Sequence, residues 1–112
     1  MRETRPLEEY ADLIFDHRND PHTLADLSVE MAAKIAYLTE GYKPIKLAKA
    51  AYWLKKYTGD KPLSEVYLET QWEASEIGQK ELKMKLEIEG LDRLIAACKS
   101  VAIEAAREAR NI

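Results

Sequence analysis

From Leu63 onward, core-type positions recur at alternating spacings of four and three: Tyr67, Thr70, Ala74, Ile77, Glu81, Met84, Ile88, Leu91, Ile95, Cys98, Ala102 and Ala105. This is a heptad pattern carried for about six repeats. It predicts a long helical segment over residues 62–110 whose apolar edge has to be covered. With Tyr67, Ala74, Glu81, Ile88, Ile95 and Ala102 at position a, the d positions are Leu63, Thr70, Ile77, Met84, Leu91, Cys98 and Ala105. Ile77, Met84, Ile88, Leu91, Ile95 and Cys98 are the expected interaction residues of this seam. A parallel in-register dimer would set Lys80 against Lys85 and Glu87 against Asp92, both like-charged pairs. Beyond Ile88, Leu94 and Val101 widen the stripe, as in a helix buried against several neighbours. An antiparallel or bundled arrangement follows.

Gly78 and Gly90 fall inside this run, each costing about 1 kcal/mol relative to Ala in a helix interior. Gly90 is the better place for a break, because Leu91 can make the contact that follows a helix C-cap and Asp92 can cap a new helix. The seam nevertheless crosses Gly90 without a change of phase, so a long helix and a helical hairpin both remain open. An unbroken helix over 62–110 would be about 70 Å long and would demand self-association. A hairpin could close into a monomer.

The first 61 residues read as three short helices. The first, Pro6 to Arg18, has Thr4 or Arg5 before it, acids Glu8 and Glu9 in its first turn, and an apolar face of Leu7, Tyr10, Ala11, Ile14 and Phe15. Asn19-Asp20-Pro21 is a turn signal. The second helix, Leu24 to Thr39, is opened by Thr23 with Asp26 three residues on and closed by Gly41; its stripe is Leu24, Leu27, Met31, Ile35 and Leu38. The third runs from Pro44 to Tyr57, with Leu47, Ala50, Ala51, Leu54 and Tyr57 on one face and Lys46, Lys49, Trp53 and Lys56 on another. Gly59-Asp60-Lys61-Pro62 ends it, with Asp60 a candidate cap. The expected fold is all-α, a four- to five-helix bundle in a single domain of 112 residues.

Charge changes this picture at one place. Residues 1–40 carry four bases and nine acids, 41–62 carry six and one, and 63–112 carry seven and ten. Lys43, Lys46, Lys49 and Lys56, interleaved with Trp53, form a candidate surface for nucleic acid or an acidic partner, since lysines hold phosphates and aromatics stack on bases. The competing reading is a solvated face, or lysines that neutralise acids of the first and last helices with the aromatics in the core. The net charge of −3 favours that second reading.

Candidate chemistry is sparse. Asp12 and Asp16, one turn apart with His17 and His22 nearby, are the one acid–histidine grouping, yet no H-E-x-x-H, C-x-x-C or Asp-rich loop spacing accompanies them. No serine sits in a G-x-S-x-G turn. Neither a catalytic residue, a metal nor a cofactor is expected. The lone Cys98 has no intrachain partner, no signal peptide opens the chain, and no run reaches eighteen apolar residues, so a cytoplasmic protein without a membrane span is expected. Glu81 and Thr70, polar groups on the seam, are read as setting register or partner choice.

The segments Tyr67-Leu-Glu-Thr-Gln-Trp-Glu-Ala-Ser-Glu, Leu86-Glu-Ile-Glu-Gly-Leu-Asp-Arg-Leu-Ile-Ala-Ala-Cys-Lys-Ser and Arg107-Glu-Ala-Arg-Asn resemble small helical accessory proteins encoded by bacteriophages and prophages. The resemblance covers about the last fifty residues and has no active-site pattern to carry over. It implies a non-enzymatic accessory role in a bacterial cell, near DNA replication or recombination. The expected function is a helical interaction or assembly module that binds itself or a helical partner; the alternative is a nucleic-acid-binding protein using the lysine-rich helix.

Overall fold

The computed structural model describes residues 5–57 and 64–110. These form four α-helices and, among the described residues, no strand: α1 (Leu7–Asp16), α2 (Pro21–Tyr57), α3 (Glu65–Ala74) and α4 (Glu76–Arg110). The chain is all-α with a long C-terminal helix, as its periodicity predicts. Thr4, the Gly59–Pro62 turn with its candidate cap Asp60, and the seam position Leu63 lie outside the described residues.

Two boundaries differ from expectation. The second and third expected helices are one: α2 starts at Pro21, with Asp20 rather than Thr23 as its cap, and continues through Gly41 and Pro44 to Tyr57. Asp20 accepts hydrogen bonds from Thr23 N (3.2 Å) and Thr23 Oγ1 (2.6 Å), which hold its carboxyl below the usual carboxylate range. Pro21 sits where its missing N–H is harmless. Gly41 and Pro44 fail to end the helix because packing of this face against α4 holds it. Gly41 lets Met84 Cε come to 3.0 Å of where a Cβ would stand, Tyr42 is anchored to Glu81, and Ile45 is buried.

The 62–110 segment, by contrast, is broken, at Ser75 and not at Gly90. Ser75 is extended (φ −77°, ψ 158°) and serves two helices. It closes α3, with its N donating to Trp72 O, and opens α4, with Oγ accepting from Gly78 N at 3.0 Å and its carbonyl accepting from Gln79 N at 3.0 Å. Ser75 Oγ also donates to Trp72 O. One extended residue resets the helical phase. In α3 the buried residues are therefore Leu68 and Trp72, while the expected seam positions Tyr67, Thr70 and Ala74 face solvent. From Ile77 onward the seam is in phase: Leu91 and Cys98 are buried, and Ile77, Met84, Ile88 and Ile95 are half-buried.

The chain divides into two compact units, one made of residues up to Tyr37 with those from Glu87 on, the other of Leu38–Leu86. In the first, Tyr10 and Ile14 of α1, Leu24, Leu27 and Met31 of α2, and Leu91 and Cys98 of α4 are buried. Each such side chain contributes about 1.5–3 kcal/mol by leaving water. Gly90 marks a close crossing there: a Cβ would stand 2.6 Å from Leu7 Cδ1, so the glycine serves contact between α4 and α1 rather than a hinge. Lys34 is only 8% exposed, and a buried cation needs partners. Its Nζ finds Glu87 at 3.0 Å and the Arg5 carbonyl at 2.7 Å, beside the Tyr10 ring. Burial, and then Glu30, raises the Tyr10 phenol above its ordinary pKa. In the second unit the buried residues are Ile45, Leu68, Trp72, Gly78 and Glu81.

Candidate functional site

The Leu38–Leu86 unit is organised by one buried carboxylate. Glu81, on the second turn of α4, is 5% exposed. Its oxygens accept from Trp72 Nε1 (3.3 Å), Lys49 Nζ (3.3 Å) and Tyr42 Oη (3.2 Å), and Lys85 Nζ stands 3.7 Å away. Lys49 also reaches Glu69 at 3.2 Å. Three helices, α2, α3 and α4, with the tight α3–α4 corner, aim these groups. Gly78 makes that corner, since a Cβ there would lie 1.7 Å from the Trp72 carbonyl oxygen.

Burial opposes the charge on Glu81, but hydrogen bonds from Trp72 and Lys49 and the charges of Lys49 and Lys85 outweigh it, and its carboxyl falls below the usual range. Burial likewise opposes the charge on Lys49, yet hydrogen bonds to Glu69 and Glu81 outweigh it, and its pKa rises. The pair is therefore ionised throughout the neutral range, and both Glu81 oxygens have donors; among the described residues no buried side-chain N or O lacks a partner. A carboxylate held ionised by several donors is a poor general base. Its chemistry is that of a structural anchor. Aromatic rings wrap it, with Tyr52, Trp53 and Trp72 at centroid separations of 5.5–6.4 Å and Lys49 Nζ over the Trp53 ring at 5.4 Å.

This arrangement splits the lysine face. Lys49 and Trp53 take part in internal contacts, Lys56 Nζ lies over the Tyr52 ring (5.8 Å), Lys43 pairs with Glu40 (2.8 Å), and Lys46 is exposed. The leucine–alanine face is turned outward: Leu47 is 72% exposed, Leu54 69%, and Ala50 and Ala51 are exposed between them. Larger groups won the inward position. Tyr42, Ile45, Tyr52 and Trp53 carry more surface to bury than two leucines and two alanines, and Lys49 enters with them because Glu81 awaits it.

Asp12, Asp16 and His22 are exposed, and among the described residues no group of three His, Cys, Asp or Glu side chains converges as metal ligands would. Cys98 is buried and unpaired. No helix among the described residues is long and apolar enough to cross a membrane. The reading in which lysines of this stretch neutralise acids of the last helix holds for Lys49, which meets Glu69 and Glu81, whereas Trp72, between the seam positions Thr70 and Ala74, lies off the expected seam and is core. The signal available was Ser75-Glu76, a cap followed by an acid, three residues before Gly78. The fold and site define an all-α protein with a buried ion-pair network and an outward apolar helical stripe. Compared with protein-family models, with curated proteins and with solved structures, the chain matches none.

Proposed function

We propose that this protein is a non-enzymatic helical interaction and assembly module. The observation that carries the reading is the stripe Leu47, Ala50, Ala51 and Leu54, an i, i+3, i+4, i+7 pattern standing in solvent on a helix whose opposite face turns Ile45, Lys49 and Trp53 inward. Such a pattern is the standard footprint of a helix that meets another helix. Of the seam residues Ile77, Met84, Ile88, Leu91, Ile95 and Cys98, Leu91 and Cys98 are covered by the chain itself. An accessory role of the bacteriophage kind, alongside replication or recombination, fits a module of this sort.

The test is molecular mass in solution from micromolar to millimolar concentration. Mass that rises with concentration, and no longer does so in Leu47→Glu/Leu54→Glu, is the expected result. A wild-type chain that stays monomeric throughout removes the assembly reading.

Binding to nucleic acid is the second reading, supported by Lys46 and its exposed neighbours Lys43, Lys55 and Lys56 on a stretch without acids. It expects a salt-dependent shift with DNA that Lys46→Glu weakens; no shift at low salt removes it.

A further inference from the structure

Two outward faces of the Leu38–Leu86 unit are complementary. On α2, the stripe Leu47, Ala50, Ala51 and Leu54 is edged by Lys43 and Lys46 on one side and Lys55 on the other, and no acid occurs between Gly41 and Gly59. Glu40, paired with Lys43 at 2.8 Å, is the one acid near its start. On α3, Val66 (77% exposed), Tyr67 (49%), Thr70 and Ala74 form an exposed face. Glu65, Glu69 and Glu73 follow one another a turn apart along its edge. Glu65 and Glu73 are exposed, and Glu69 is half-exposed while shared with Lys49.

The charged residues edging the α2 stripe are lysines and those edging the α3 face are glutamates, and an antiparallel α3–α3 contact would oppose the glutamates. We propose that the α2 stripe of one copy receives the α3 face of a second copy, apolar residues meeting at the centre and the lysine edge meeting the glutamate edge. This rests on the reading of the protein as an assembly module and names its partner. The two surfaces are different patches on each copy, so the contact is heterologous: it does not close at two copies but extends into a ring or filament.

Mixing two variants, each with one face disabled, tests this. Leu47→Glu/Leu54→Glu places acids on the α2 stripe; Val66→Lys/Glu73→Lys places bases on α3. All four positions are exposed, and unchanged helicity by circular dichroism verifies the fold of each variant. The wild type is expected to form species beyond a dimer that shrink as salt is added. Each variant alone is expected to be monomeric, and an equimolar mixture to re-associate with one-to-one stoichiometry, because each contributes the face the other lacks. If Val66→Lys/Glu73→Lys assembles as the wild type does, or the mixture stays monomeric, the α3 assignment is overturned while assembly through α2 stands. A wild type that stops at a dimer overturns it equally, and a monomeric wild type overturns both readings.

Discussion

Replacing Glu81 measures how much the buried network holds the Leu38–Leu86 unit together. In Glu81→Ala, Trp72 Nε1 loses its acceptor on a side chain that is 3% exposed, at a cost of about 1–3 kcal/mol for an unsatisfied buried donor. Lys49 keeps Glu69 at 3.2 Å and some contact with water, so its stranded charge costs well under the ~3–5 kcal/mol of a fully buried pair. Lys85 is half-exposed and adds little. Allowing for the small cavity as well, the expected destabilisation is about 3 kcal/mol for Glu81→Ala, and about 1–2 kcal/mol for Glu81→Gln, which retains the shape and one acceptor. Urea unfolding followed by tryptophan fluorescence is the assay, since both tryptophans, Trp53 and Trp72, lie in this unit and flank the network. The same titration against pH checks the electrostatic share. Glu81 has a lowered folded pKa, so its contribution is complete above the ordinary carboxylate value of about 4.3 and is lost as pH falls through the folded value. Losses below about 0.5 kcal/mol in both variants, or coincident acid limbs for the wild type and Glu81→Gln, refute a structural role for the Glu81 network.

The glycines separate by what their neighbours can do. Gly78→Ala forces a methyl group into the Trp72 carbonyl and is expected to lower stability by more than the ~1 kcal/mol that alanine gains in a helix. Gly41→Ala meets only the tip of Met84 and is expected to raise the urea midpoint. Ser75→Ala removes the acceptor of the Gly78 N–H and should cost about 1 kcal/mol in the same assay. At alkaline pH, the raised pKa values of Lys49 and Tyr10 place a loss of stability above about 10, as each group is deprotonated toward its folded value; Tyr10→Phe and Lys49→Met should each soften that limb of a pH-dependent melt. Lys34→Ala leaves Glu87 without its 3.0 Å partner and is expected to cost about 1–2 kcal/mol, read as a lower melting temperature by circular dichroism.

What the sequence alone determined is what depends on short-range periodicity. The stripe Leu24, Leu27 and Met31, the inward pair Tyr10 and Ile14, and the seam from Ile77 to Cys98 are legible because a helix repeats every 3.6 residues wherever it is placed. Tertiary structure decided three other things, each an outcome of competition between distant groups. Helix α2 runs through Gly41 and Pro44 because Met84, Glu81 and the burial of Ile45 offset two local breakers. The break fell at Ser75 because Gly78 allows a corner against the Trp72 carbonyl, whereas Gly90 is used for contact with Leu7. The α2 helix turned its leucine–alanine stripe outward because the aromatics and Lys49 had more to gain inside, and that gain existed only once Glu81, thirty-two residues away in the chain, had arrived beside them.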